Sequence, residues 1–365
     1  MRRGYPNREG TNVSKPERIP LVYPCGEAPA PGAVREVAPG VLWLRMPLPL
    51  SLDHINLWAV QDGEGWAIFD TGMHTPATLD AWRTLIGPGA PLGECGPSRI
   101  LATHMHPDHI GMAGWLTRKF GCELWMTRGE YMTCRVLVGD TGREAPAEGI
   151  GFYRRTGWDA EALETYCARF GGYGKHISPL PQRYRRLQDG QQIRIGAHDW
   201  QVVVGSGHSP EHACFYCAEL KVLISGDQVL PRISPNVSVF PTEPEADPMG
   251  EWLESLAKLK RQLPADVLVL PAHNEPFEGL HARLDRLVAG HQRSFERLIQ
   301  LLSEGPKRVV DVFGALFARP IDADLLPLAT GEALANLNYL VQRGQVTVRE
   351  DEDGVAWYRA STAEA

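Results

Sequence analysis

Residues 103–109 read Thr-His-Met-His-Pro-Asp-His, which puts four potential metal ligands, His104, His106, Asp108 and His109, into six positions. So dense a set rarely arises by chance, and it requires a fold that brings imidazoles and carboxylates together on a rigid frame. The preceding run, RILATH (99–104), has strand character and leads directly into the cluster. In an extended strand, residues two apart point to the same side, so His104 and His106 are expected to grip one ion. Pro107 then turns the chain, and Asp108 and His109 reach toward a second ion. Three further ligand types stand at the ends of apolar, strand-like runs: His208 in GSGHSPEH, Asp227 in LISGD and His273 in LVLPAH. Strand ends are a usual place for functional groups that must be held in position. A set of imidazoles and carboxylates without cysteine suits Zn2+ first, and Fe or Mn as well.

The 365 residues favour two domains over one, and 43% hydrophobic residues with 22% charged ones indicate a packed core. Residues 1–35 are rich in Pro and Gly and read as an irregular arm. Residues 36–275 alternate short strands with amphipathic segments. Within them, 129–183 changes character, with tyrosines, arginines, glycine pairs and weak helical patterns, and reads as a lid-like insertion. Residues 276–365 are mostly helical and end in strand, acidic turn and strand, the order of a winged helix-turn-helix.

Several classes are excluded. A net charge of -7 argues against a general polyanion binder. No run approaches the roughly 18–20 apolar residues of a membrane span, and the charged start MRRGYPNREG has no apolar segment behind it, so no signal peptide is expected. The seven cysteines are scattered, which fits reduced thiols and a cytoplasmic location. Cys214 and Cys217 have CxxC spacing, but with no second pair they read as core packing.

The order of motifs resembles the metallo-β-lactamase superfamily: FDTG with Asp70, the H-x-H-x-D-H run, a GH motif, an apolar GD and a last PAH, over about residues 35–275. The resemblance implies an α/β sandwich of αββα type, with the helical, winged-helix-like tail appended. It implies that His104, His106 and His208 bind a first ion and Asp108, His109 and His273 a second, that Asp227 bridges them, and that Asp70 orients the site through hydrogen bonds. Two cations lower the pKa of a bridging water, so the expected nucleophile is a bridging hydroxide, with Asp108 and Asp227 as catalytic carboxylates. His54, next to Asn56, either lines the entrance or is structural. His212, four residues after His208, is expected behind the ligands. Arg232, five residues after Asp227, either faces an anionic part of the substrate or is an ordinary surface arginine.

Within the superfamily, Asp227 stands where the best-known zinc β-lactamases carry Cys, the complete ligand set argues against single-iron dioxygenases, and Leu230 replaces a Tyr of the homoserine-lactone lactonases. The branch that looks most similar is glyoxalase II with its winged-helix-tailed relatives. A small-molecule thioester, ester or lactone is therefore the expected substrate, an acyl-CoA thioester among them. The alternative is a phosphodiesterase or endoribonuclease of the same fold. Residues 291–360 hold eight Lys and Arg against ten Asp and Glu, and the turn between the last strands reads Glu350-Asp351-Glu352-Asp353. That surface repels nucleic acid. The stripe Leu334, Leu337, Leu340 and Val341 is expected to pack within the chain or to form a homodimer contact.

Overall fold

The computed structural model describes residues 20–361. A first sheet runs in chain order through β1 (Val34–Ala38), β2 (Val41–Pro47), β3 (His54–Asp62), β4 (Gly65–Phe69), β5 (Pro97–Leu101), β6 (Glu123–Met126) and β7 (Arg185–Arg186). β1 to β4 form an antiparallel meander, and β4 to β7 are parallel neighbours. Parallel pairs need crossovers. These are α1 (Pro76–Leu85) between β4 and β5, α2 (Pro107–Ile110) with α3 (Ala113–Phe120) between β5 and β6, and then a long excursion through α4 (Arg128–Gly139), α5 (Ala147–Arg155) and α6 (Ala160–Arg169). A second sheet follows: β8 (Gln192–Ile195), β9 (His198–Gly205), β10 (His212–Cys217) and β11 (Val222–Gly226) are antiparallel, and α7 (Pro248–Gln262) returns the chain to β12 (Leu268–Pro271), parallel to β11. The tail holds α8 (Leu280–Ser303), α9 (Phe313–Leu316), α10 (Leu326–Gln342) and the hairpin β13 (Val346–Glu350) with β14 (Ala356–Ala360).

The sheets stack face to face. Trp43, Trp58, Phe69 and Leu101 of the first meet Trp200, Phe215, Ile224 and Leu270 of the second. The next residues along β2, Leu42, Leu44 and Met46, point the other way, under Trp82 of α1 and Leu116 of α3. Both faces of β2 are thus covered, which is why VLWLRM reads as an unbroken apolar run and not as an alternation. The second sheet carries α7 and α8 on its outer face. The same logic settles the CxxC pair: Cys214 lies in the outer core and Cys217 in the core between the sheets, so the two side chains serve different layers.

Capping explains where α1 and α7 begin. Thr75 accepts the N–H of Thr78 at 3.2 Å with Pro76 following, and Asp247 accepts that of Gly250 at 2.9 Å with Pro248 following.

Three details differ from expectation. The arm is not irregular to residue 35, because β1 already starts at Val34, and Val22 pairs with Glu278 in an isolated bridge; its first nineteen positions lie outside the described residues. The insertion holds three helices, the first beginning at Arg128. The tail, finally, has no core of its own. Leu334, Leu337 and Leu340 of α10 are at most 1% exposed, Val341 is partly buried, and all pack in the cluster that includes α7, α8 and, from the insertion, Phe152, Tyr153 and Trp158. The expected apolar stripe is therefore covered by the chain itself. Among the described residues, no helix is long and apolar enough to cross a membrane.

Candidate metal centre

The histidine run does not continue β5 as expected. The strand ends at Leu101, and residues 102–106 form an irregular loop held from outside. Ala102 N–H bonds the carbonyl of Trp125 at 2.9 Å, and Thr103 N–H bonds Asp70 Oδ1 at 2.8 Å. Met105 N–H bonds Glu130 Oε2 at 2.9 Å, and the Tyr173 hydroxyl donates to the Met105 carbonyl. His104 and His106 still converge, with Nε2 of the first 2.8 Å from Nδ1 of the second. The cause is this scaffold and not strand alternation. Pro107 keeps His106 extended (ψ 147°) and opens the single turn α2, which lifts Asp108 and His109 toward the same space.

The other three ligand types arrive from the second sheet. His208 follows β9, Asp227 follows β11 and His273 follows β12. Two glycines set the approach. Gly207 has φ +103°, and a Cβ there would lie 2.5 Å from the Pro248 carbonyl. Gly226 has φ +51°, and a Cβ there would meet the His212 ring at 2.6 Å. Only glycine fits either position.

Each of four histidines spends one ring nitrogen on the protein and turns the other inward. His109 Nδ1 donates to Asp70 Oδ2 at 2.8 Å, His208 Nδ1 to the Asn236 carbonyl at 2.6 Å and His273 Nδ1 to the His54 carbonyl at 2.9 Å, while His104 Nδ1 lies 3.0 Å from the Thr103 hydroxyl. Such bonds fix tautomer and ring orientation, as metal-binding imidazoles require. The inward atoms form two groups whose members lie within 4.8 Å of one another: His104, His106, His208 and Asp227, and Asp108, His109 and His273. Asp227 touches both, since its Oδ2 is 3.4 Å from His208 Nε2 and 3.5 Å from His109 Nε2, and its Oδ1 is 3.5 Å from His273 Nε2. Asp108 Oδ2 stands 3.4 Å from His273 Nε2 and 3.6 Å from His109 Nε2.

The donor set fits divalent cations. His109 Nε2 and Asp227 Oδ1 are buried with no hydrogen-bond partner, a costly state that a cation at this point removes. Electrostatics agrees. Burial pushes the His104 and His106 imidazoles down, His106 to about 3, so both are neutral and free to ligate. Burial alone would raise Asp108, but the neighbouring His109 and His273 hold it at about 2. Burial likewise pushes His109 down, and Asp108, Asp70 and Asp227 more than reverse it.

Of the supporting residues expected from sequence, Asp70 does orient His109. It does so from a left-handed backbone (φ 60°) while also accepting the Thr103 hydroxyl at 2.8 Å. His212 lies behind the ligands: its Nε2 accepts the N–H of Asp227 at 3.1 Å and its ring stacks on His104 at 4.8 Å. His54 contributes through its backbone, while its ring accepts the Asn274 N–H at 3.1 Å. Arg232 pairs with Glu275 at 2.9 Å and is half exposed. Asn56 is buried and braces the His273 loop through the carbonyls of Pro271 and Asn274. Sequence reasoning missed Glu130. Fully buried, it takes the N–H of Met105 and of Glu211 and the hydroxyl of Ser209, at 2.6–2.9 Å, and so ties the two ligand loops together. No local pattern marks it, because these partners are 25, 81 and 79 residues away. A cavity of about 600 Å³ opens at the opposite end of β3, around Gly40, Gln61 and Gly196, and none of the seven ligand-type residues lines it.

Comparison with known proteins gives the family. The model of the metallo-beta-lactamase superfamily matches residues 50–273, and that of the metallo-beta-lactamase-like C-terminal domain matches 295–361. The chain belongs to the metallo-β-lactamase superfamily, and its tail matches the C-terminal domain found in such proteins. A solved beta-lactamase domain protein from Burkholderia ambifaria is 40% identical, with 93% of this chain and 98% of that one covered and a TM-score of 0.84. A metallo-beta-lactamase family protein from Thermus thermophilus is 29% identical over 89% of this chain and 100% of its own, with a TM-score of 0.75. Among curated proteins, the acyl-coenzyme A thioesterase MBLAC2 of Bos taurus is 28% identical over 203 residues, 54% of this chain and 66% of that protein. The match thus spans just under two thirds of that relative.

Proposed function

We propose that the chain is a dinuclear metal-dependent hydrolase of acyl thioesters, with an acyl-CoA-like compound as the substrate class. The observation that carries the dinuclear reading is Asp227, one carboxylate within 3.5 Å of histidines from both groups. His104, His106 and His208 would hold one ion, Asp108, His109 and His273 the other, with Asp227 shared. When bound, two divalent ions bring the pKa of water toward neutrality and polarise the acyl oxygen. The chain's own residues do the rest. Asp108 and Asp227 stay ionised, which places two negative charges where cations and an attacking water are needed. Asp108 is the carboxylate next to the second group and orients the water or takes its proton. Asp70, Glu130, Asn236 and the His54 carbonyl hold the imidazoles and loops still, so the geometry is set before substrate arrives. Zn2+ is the first expectation for the ions.

The thioester is favoured over other acyl compounds by the MBLAC2 similarity. Hydrolysis rates of the purified, metal-loaded protein on acyl-CoA, acyl-glutathione, lactone, aryl-ester and bis-aryl-phosphate substrates test it. The expected result is kcat/KM highest on a thioester. Turnover of the phosphodiester with thioesters at background would reverse the assignment.

A further inference from the structure

The three imidazoles whose Nδ1 donates to a distant residue are not held alike. His109 is aimed by the Asp70 carboxylate, and His273 by the carbonyl of His54, which opens β3 of the first sheet. His208 is aimed by the Asn236 carbonyl at 2.6 Å. Asn236 lies in the connection between β11 and α7, where residues 228–246 form neither helix nor strand. A loop carbonyl has no ladder of its own to fix its direction. Whatever holds Asn236 therefore also holds the ring of His208.

The holding groups come from α10 in the tail. Glu332 Oε2 accepts the side-chain amide of Asn236 at 3.0 Å, and the Ser238 hydroxyl donates to Asn236 Oδ1, so both ends of that amide are taken. Beside them, Val239 N–H bonds the Gly331 carbonyl at 3.0 Å. Helix and loop meet backbone to backbone here: a Cβ on Gly331 would lie 2.7 Å from the Ser238 hydroxyl oxygen and 3.0 Å from the Val239 carbonyl oxygen. Glycine inside a helix is costly relative to alanine, and this close approach accounts for it. Further along α10, the Asn338 amide donates to the carbonyls of Pro244 and Ala246, each at 3.0 Å. That second contact seats the same helix on the same connection but does not involve Asn236.

We propose that Glu332 is a positioning residue for His208: its oxygen fixes the Asn236 amide, and the fixed residue presents its carbonyl to the imidazole Nδ1. The opposite nitrogen is thereby turned inward, with Nε2 3.4 Å from Asp227 Oδ2 and 3.2 Å from His104 Nε2. Donation to a carbonyl selects the tautomer with its proton on Nδ1 and its lone pair on Nε2, the state a cation requires. The tail then supplies part of the geometry of the first ligand group, a consequence that rests on reading His208 as a ligand. The bond from Asn236 calls for an acceptor oxygen and not for a charge. Glutamine at position 332 can keep it, and leucine cannot.

Long-range proton–nitrogen correlation spectra of the full-length, metal-free chain, isotopically labelled at histidine, read the tautomer directly, with His208→Ala identifying the signal. The parent should show one tautomer, protonated at Nδ1. Glu332→Leu should show a mixture of the two. Asn236→Ala keeps the carbonyl but loses the amide that positions it, so it should show the mixture as well, and it decides the matter should the leucine variant not fold. Glu332→Gln should match the parent. Asn338→Ala loosens the seat of α10 without touching Asn236, and it too should keep the parental tautomer. Chelator competition with Zn2+ then reads the consequence. In a His109→Ala background, which isolates the first ligand group, Glu332→Leu should weaken binding by about tenfold or more, while Glu332→Gln and Asn338→Ala leave it near the background value. A single Nδ1-protonated tautomer in both Glu332→Leu and Asn236→Ala overturns the proposal. So does an equal mixture in Asn338→Ala, which would make the effect one of docking alone. Should His208→Ala leave metal affinity unchanged, the ligand reading fails, and the tautomer still decides whether Glu332 positions the ring.

Discussion

Glu130 Oε2 accepts the backbone N–H of Met105 at 2.9 Å, so a carboxylate from the insertion sets the path of the loop between His104 and His106. Its other oxygen takes Ser209 and Glu211 beside His208. Replacing Glu130 by Gln puts an amide N–H against donors that have no other acceptor. Glu130→Gln should cost about 2–4 kcal/mol in denaturant unfolding and lower metal affinity about 10–100-fold in chelator competition. Unchanged metal affinity would show that the two loops hold their geometry without it.

The partition of the seven ligand-type residues into two groups is checked by stoichiometry. Elemental analysis of His109→Ala should find about one ion fewer per chain than in the parent, because its Nε2 faces only the centre. Two ions retained in that variant would contradict the assignment.

Asp70 offers a cleaner substitution. Its φ of 60° is one that Asn tolerates as well as Asp. Asp70→Asn therefore leaves the backbone alone and changes only the bonds to Thr103 and His109. The expected outcome is a loss of about 1–3 kcal/mol in unfolding, because one amide N–H now faces buried donors, with metal affinity reduced about 10–100-fold, measured by the same competition.

The supporting contacts explain what could and could not be read in advance. The ligand-type residues were legible because each sits in a short local motif beside an apolar run. Of the four groups that aim them, only Asp70 was, through FDTG. The other three are main-chain or distant: the Asn236 carbonyl for His208, the His54 carbonyl for His273 and Glu130 for the loops. A carbonyl carries no residue signature, and pairing over such separations is decided by tertiary packing. The strand expected to run through His104 failed for a related reason: beyond Leu101 the backbone donors of Thr103 and Met105 are taken by the side chains of Asp70 and Glu130, and not by a neighbouring strand.

Glu332 gives the molecule a predictable pH dependence. Its ordinary value is 4.5, and burial raises it to about 7 in the fold. The folded chain therefore holds this proton more tightly than the unfolded one. The contribution is fully present below 4.5 and is lost as pH rises through about 7. Glu332→Gln removes the titration. The variant should gain on the order of 1–3 kcal/mol relative to the parent between pH 4 and pH 8, read from urea melts at both values. A difference independent of pH would disprove it.

The tail is expected to leave nucleic acid alone. Fluorescence anisotropy with duplex DNA and single-stranded RNA should show no submicromolar binding at physiological salt; tight binding that weakens steeply as salt rises would instead favour the phosphodiesterase alternative.

The indole N–H of Trp158 bonds the Thr330 hydroxyl at 2.9 Å, and Trp158 and Tyr153 stack in the core they share with α10. The same insertion reaches the ligand loop at its two ends, through Glu130 and Tyr173. It is a strut that spans from the tail to the loop between His104 and His106, and the chain cannot be treated as interchangeable modules. An insertion grafted from a relative to alter substrate choice would arrive with its aromatic foot unseated unless the matching α10 came with it. A change deep in the tail, far from any ligand, is correspondingly a change in how firmly the loop between His104 and His106 is braced.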